Sequence, residues 1–281
     1  MKIIEFKGGL GNQLFEYAHY LYLKDKYPSE KKWYAFFPWR ELWQHNGLEI
    51  HRRFNVNLPK ETRLSRWIGW TLFTINRKIC TPYNLRCPFT STEQFPNEEA
   101  MLQEGYWEHV KYIPSDFRFE YNVPELNEKN KILLEELATL RNSKAITPVA
   151  VHVRRGDYLT CDHPEYFAGI CTEEYYNKAI SYILETLPNP RFYFFSDDSD
   201  YVMKHFELPE KVVVDWNKGA DSFLDMYLMS HFSALIIANS TFSFWGAQNN
   251  PFNPLVVCPP RFNNLPYDTP MAMPGWKVVS G

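Results

Sequence analysis

Apolar and polar positions alternate differently in the two halves of the chain. Lys2 to Phe6 is a short apolar run broken only by Glu5, GGLGNQ follows as a Gly-rich turn, and LFEYAHYLYLKDKY then carries aliphatic and aromatic residues at helical spacing. That sequence predicts a strand, a loop and a helix. A second strand is predicted over Lys32 to Phe37, KWYAFF. From Pro38 to about Tyr121 the pattern is irregular and rich in Trp, Pro, Arg and Phe. Within it, RLSRWIGWTLFTINRK (Arg63 to Lys78) sets Leu64, Trp67, Ile68, Leu72 and Ile75 on one helical face between basic ends. Such a segment fits a helix packed on its domain core, or one in peripheral contact with a membrane surface or an amphipathic acceptor.

Glu125 to Asn142 reads as a charged amphipathic helix, and a new apolar strand begins at Thr147, which places a domain boundary between residues 143 and 144. Strands are predicted over 148–153, 191–195, 212–214, 234–238 and 255–258, with helices over 172–187, 200–206, 221–231 and 243–250 between them. Strands rich in Val, Ile and Phe without alternation, separated by helices, predict a parallel sheet covered on both faces. The expected architecture is therefore α/β: domains 1–143 and 144–281, facing one another across a cleft, with ligand at the carboxyl ends of the strands.

Length and composition support an ordinary globular chain: 281 residues, 45% apolar and 22% charged. A net charge of −3 and a pI near 6.3 give no bulk field for nucleic acid, so any bound anion must be gripped locally. Five cysteines without CxxC spacing argue against a disulfide framework or a zinc knuckle and for a reduced compartment. The opening MKIIEFKGG lacks a signal-peptide core, and a cytoplasmic location, peripheral to the inner membrane if Arg63 to Lys78 lies on it, is the expectation. The 17% aromatic share suits both a large core and a site for flat sugar faces.

The predicted strand ends carry the candidate chemistry. The strand over 148–153 delivers His152, Arg154, Arg155, Gly156 and Asp157. Alternation sends the two arginines to opposite sides, one toward a ligand and the other toward an acid such as Asp157 or an element of the core. An arginine fork grips two phosphate oxygens, and the neighbouring glycine suggests close approach of a ligand. The strand over 234–238 delivers Asn239, Ser240 and Thr241 at a helix start, ordinary N-cap residues that also make a phosphate site. GGLGNQLF lacks both the dinucleotide and the P-loop spacing. Asp198 and Asp200 spell Asp-x-Asp, which fits a divalent metal site or simply the acidic first turn of the next helix.

GGLGNQLFEYA, VHVRRGDYL and IIANSTFSFWGA, in that order and spanning Gly8 to Ala247, resemble the signature stretches of the α-1,2-fucosyltransferases that use GDP-fucose. The resemblance implies a GT-B fold of two Rossmann-like domains, an N-terminal one for acceptor and a C-terminal one for nucleotide, with inverting transfer that requires no metal and no cofactor beyond the donor. It places Arg154 on the β-phosphate, His152 by the nucleotide, Asn239, Ser240, Thr241 and Ser243 along the phosphates, and Asn12 at the diphosphate or fucose. Asp225 falls where related enzymes hold an acid that reads guanine through its N1–H and 2-amino group. Asp157 and Asp162 are the candidates for the base that deprotonates the acceptor hydroxyl. The implied partners are GDP-fucose and a galactose-terminated oligosaccharide or lipid-linked glycan. A transferase of other linkage or other GDP-sugar, a metal-dependent one using Asp198 and Asp200, and a non-catalytic glycan- or nucleotide-binding module are the competing readings.

Overall fold

Among the described residues all ladders between strands are parallel, and they form two separate sheets. The structure, a computed structural model, describes residues 1–42, 46–122, 125–208 and 210–281; the side chains of Glu41 and Asp157 also lie outside the described part. The chain divides into two units, Met1–Pro114 and Ser115–Gly281. Among the described residues no helix is long and apolar enough to cross a membrane.

The first unit contains β1 (Lys2–Glu5), α1 (Leu10–Lys26), β2 (Trp33–Phe36), α2 (Trp39–Leu42), α3 (Ile50–Arg53), α4 (Arg63–Ile75), β3 (Thr90–Ser91) and β4 (Leu102–Gln103), with strand order β2-β1-β4-β3. Helix α4 starts at Thr62, whose hydroxyl accepts the Ser65 N–H while the Ser65 hydroxyl accepts the Thr62 N–H, a reciprocal cap. It packs through Ser65, Gly69 and Phe73. Gly69 is needed there, since a Cβ would lie 2.6 Å from the Phe36 ring. The apolar face expected of this helix is split. Ile68 and Leu72 pack against Ile3, Phe36, Phe73 and Leu102, whereas Leu64 and Trp67 point outward, 61% and 67% exposed.

The second unit contains α5 (Glu128–Ser143), β5 (Thr147–Val153), α6 (Gly156–Thr160), α7 (Glu173–Thr186), β6 (Pro190–Ser196), α8 (Ser199–His205), β7 (Val212–Val214), α9 (Phe223–Met229), β8 (Ala234–Ile236), α10 (Thr241–Gln248), β9 (Leu255–Cys258) and β10 (Lys277–Val278). The division between units falls at Pro114 rather than at 143 because residues 115–143 are tied to the second unit. Arg118 Nε donates to the Asn250 carbonyl at 2.9 Å, the Phe119 N–H to Asn249 Oδ1 at 2.8 Å and Gln248 Nε2 to the Phe117 carbonyl at 2.7 Å. Glu136 on α5 pairs with Arg191 on β6 at 2.9 Å.

The six strands are ordered β10-β9-β8-β5-β6-β7, so the chain builds outward from β5 in one direction and then returns to β5's other side, the 3-2-1-4-5-6 order of dinucleotide-binding sheets. Period-two geometry explains how both faces are covered. Val149, Val151, Val153, Phe192 and Phe194 pack on one face against Tyr175, Tyr176, Ile180 and Ile183 of α7 and Val202 of α8. Tyr193 and Phe195, on the other face, meet Phe232 at ring distances of 5.2 and 5.7 Å. Each fully buried side chain of this kind contributes about 1.5–3 kcal/mol through burial.

Candidate active site

In a sheet of this order the ligand crevice lies at the carboxyl ends of the two strands where the order reverses. Here those strands are β5 and β8, paired in register through Val151 and Ile236. Their ends deliver the arginine pair and the start of α10, the two elements singled out in the sequence, to adjacent positions on one edge of one sheet. Tyr158 on α6 links them: its hydroxyl donates to the Asn239 carbonyl at 2.9 Å, and the Arg154 guanidinium sits 5.8 Å from its ring. His152, two residues back and so on the same face as Arg154, has its ring 5.9 Å from Phe242 of α10.

Both arginines are paired with acids at the end of β6; the side chain of Asp157, the acid named from the sequence, lies outside the described residues. Arg154 Nη1 lies 3.2 Å from Asp197 Oδ2, and Arg155 Nε lies 3.3 Å from Asp198 Oδ2. Arg155 also stacks 3.5 Å over the ring of Tyr201, on the α8 side, so it is held as a structural cation. Asp197 organises the loop, accepting the backbone N–H groups of Arg155 and Gly156 at 3.0 and 3.1 Å. Gly156 leaves room for this carboxylate: a Cβ there would stand 2.8 Å from Asp197 Oδ2. Asp198 caps α8 by accepting the Tyr201 N–H at 3.0 Å, and Asp200 lies in that helix's first turn. Among the described residues no three His, Cys, Asp or Glu side chains stand together as a metal site.

Ser240 is the N-cap of α10, its hydroxyl accepting the Phe242 N–H at 3.3 Å. Ser243 is fully buried, and its hydroxyl turns back to the carbonyls of Ala238 and Ser240. The Asn239 amide donates to the Phe262 carbonyl at 3.1 Å, anchoring the loop behind the helix. Thr241 keeps partial exposure. The helix start therefore offers Thr241 and backbone N–H groups to an anion, while Asn239 and Ser243 hold the turn in shape.

Asp225 lies in the first turn of α9. Burial pushes its carboxyl up to about 7; a hydrogen bond from Asn217 opposes the shift and the charge of Asp215 adds to it. Asn217 Nδ2 donates to Asp225 Oδ1 at 2.7 Å and is itself held by Asn130 of α5 at 2.8 Å, while Trp216 donates to Asn130 at 2.6 Å. Sequence reading missed this supporting pair, because Asn130 and Asn217 are 87 residues apart. It missed Asp197 as well, although SDDSD at a predicted strand end was the signal. Of the two candidate bases, Asp162 is exposed just after α6, and the side chain of Asp157 lies outside the described residues.

In the first unit the Gly-rich turn joins β1 to α1. Gly8 has a φ of +66°, and a Cβ on it would meet Asn12 Nδ2 at 2.8 Å and Tyr106 at 3.0 Å, so Asn12 lies folded against the turn. Gln13 is fully buried and pins the turn: its amide donates to the carbonyls of Gly8 and Gly47, and its oxygen accepts the N–H groups of Glu49 and Ile50. Glu16, buried nearby, accepts the Lys7 N–H at 3.0 Å, and burial together with the charge of Glu5 holds its carboxyl well above the usual range.

The profile of Glycosyl transferase family 11 matches residues 1–277. The chain is 36% identical to the O-antigen biosynthesis glycosyltransferase WbnK of Escherichia coli, over 90% of this chain and 92% of that one. It is 26% identical to an alpha-1,2-colitosyltransferase of Escherichia coli, over 87% and 86%. It is also 26% identical to a galactoside 2-alpha-L-fucosyltransferase of Bos taurus, over 87% of this chain and 63% of the longer relative. The signature stretches at Gly8, His152 and Asn239 thus sit in a chain matched almost end to end, and the protein belongs to Glycosyl transferase family 11.

Proposed function

We propose that this glycosyltransferase moves L-fucose from GDP-β-L-fucose to the 2-OH of a terminal galactose, with inversion, to form an α-1,2 linkage. One observation carries the reading: the β5/β8 switch point sets Arg154 and the start of α10 on adjacent strand ends. A diphosphate seated there exchanges the Arg154–Asp197 ion pair for an Arg154–phosphate pair and receives the N–H groups at Thr241. As the fucosyl C1–O bond breaks, negative charge grows on the departing phosphate oxygen, and these fixed donors stabilise it without reorganising. Asp225, held by Asn217, accepts the guanine N1–H and 2-amino group. A carboxylate of the 157–162 segment, Asp157 or Asp162, takes the acceptor proton, and Asn12 of the first unit contacts donor or acceptor.

The acceptor is proposed to be a galactose-terminated glycan, free or lipid-linked, in the cytoplasm. The O-antigen assignment of the Escherichia coli relative supports a surface polysaccharide. A second reading, favoured by the colitosyltransferase relative, keeps the linkage and changes the sugar to a 3,6-dideoxyhexose. Incubation of the purified protein with GDP-fucose or GDP-colitose and a panel of free and lipid-linked galactosides, with NMR of the product, separates the two. Neither donor giving an α-1,2 product would sink the proposal. Asp157→Asn and Asp162→Asn identify the base by which of them abolishes transfer while leaving GDP affinity intact.

A further inference from the structure

Helix α4 packs Ile68, Leu72 and Phe73 inward but turns a second set of large apolar residues outward. Leu64, Trp67 and Ile75 stand on one ridge at helical spacing, and Ile79, in the turn Asn76–Cys80 that continues the helix, extends it. At 1.5 Å per residue the ridge from Leu64 to Ile79 is roughly 22 Å long. Thr71, in the middle, donates its hydroxyl to the Trp67 carbonyl at 2.9 Å, so this exposed alcohol is satisfied within the helix. Beyond the helix end, Tyr83, Leu85 and Phe89 are 73%, 54% and 58% exposed. The Leu85 N–H bonds to the Cys80 carbonyl at 2.9 Å, folding this turn back onto the helix. The whole exceeds what scattered surface apolar residues require.

Charge identifies the occupant. Between residues 62 and 92 the sequence has five Lys or Arg and no Asp or Glu, in a chain whose net charge is −3. Arg66 pairs with Glu61 and Arg77 with Glu104, whereas Arg63, Lys78 and Arg86 have no acidic partner among the described residues. A second copy of the chain is disfavoured, because an isologous contact through this patch sets these cations against themselves. Outward Trp, Leu and Ile bordered by cations are what an anionic lipid interface receives.

We infer that the α4 face, from Leu64 to Phe89, docks this protein on an anionic lipid surface. The inference does not depend on which sugar is transferred. Its test is sedimentation of the full chain with vesicles of phosphatidylglycerol and phosphatidylethanolamine, and with vesicles of phosphatidylcholine alone. Binding to the anionic vesicles, weakened by salt, is expected. Leu64→Glu/Trp67→Glu should lower partition by tenfold or more, and each cation removed in Lys78→Ala/Arg86→Ala should lower it about fivefold. Melting temperature and GDP affinity should stay unchanged in both variants, since these side chains are exposed. Absence of binding to either vesicle overturns the inference, as does equal binding by the variants. A concentration-dependent dimer that Leu64→Glu/Trp67→Glu makes monomeric also overturns it, by showing that a second copy covers the face.

Discussion

Substituting Asp225 by Asn tests the nucleotide assignment on a quantity the structure sets. The ligand-free carboxyl titrates at about 7, because burial penalises its charge. Guanine offers two donors at its N1 and 2-amino positions, which require the ionised form. GDP binding therefore expels a proton below pH 7, and the wild-type Kd should be flat above about pH 8 and rise toward tenfold per pH unit below 7. The Asn variant presents one acceptor and one clashing donor, with no charge. Losing the charge-assisted pair costs about 2–3 kcal/mol, roughly 30- to 150-fold in Kd at pH 8. At pH 6 the wild type is about nine-tenths protonated, so the gap should shrink by about tenfold. Titration calorimetry from pH 6 to 8.5, in buffers of different ionisation heat, counts the protons. The variant corrects for titration of the GDP phosphate itself. Equal pH slopes in the two proteins, or equal affinity for GDP and its 2-amino-free inosine analogue, would refute the guanine contact.

Other expectations follow from the same geometry. Arg154→Ala should keep the melting temperature within a degree or two and lower kcat by about a hundredfold or more, some 3 kcal/mol of leaving-group stabilisation; near-normal turnover contradicts the role. Gly156→Ala forces a methyl toward Asp197, and should lower both the melting temperature and the rate of transfer. His19 is fully buried, stacked 3.9 Å on Trp107 and bonded to Gln103, and burial lowers its pKa to about 3. A depressed histidine stabilises the fold above its unfolded value near 6.5 and loses that contribution as pH falls. Between pH 6.5 and 5 the loss is about 2 kcal/mol, visible as a falling urea midpoint that His19→Phe should flatten. Asp225 acts oppositely: its raised pKa favours the folded state most below pH 4, and that contribution is gone above about 7. Ligand-free Asp225→Asn should therefore gain stability relative to wild type at pH 8 and not at pH 4.

The second sheet was legible in the sequence because its strands are self-contained apolar runs. Val149 to Val153 and Phe192 to Phe195 cannot be anything but doubly buried strands once helices flank them. The first sheet was half hidden. β3 and β4 are two residues each, Thr90–Ser91 and Leu102–Gln103, and the pairing of β4 with β1 and of β3 with β4 is fixed by tertiary register rather than by any local period. The structure divides the chain after Pro114 where the sequence suggested 143, because Glu128–Ser143 is amphipathic whichever sheet it packs on and contacts such as Arg191 to Glu136 tie it to the second unit. At the site, residue types singled out Arg154 and the α10 start, which the pairing of β5 with β8 sets on adjacent strand ends. They could not reveal that the glycine between the arginines and Tyr158 makes room for Asp197, which is remote in sequence.

The first sheet also sets a timetable for biosynthesis. β1 gains β2 once residue 36 has emerged, yet its other edge stays open until β4, at residues 102 and 103, is made. At 5–20 residues per second that interval is roughly 3–13 s, during which a two-strand parallel ribbon presents unpaired N–H and C=O groups. The hazard of aggregation is thereby concentrated in the nascent first hundred residues, and slower translation through the Trp- and Pro-rich stretch would lengthen it.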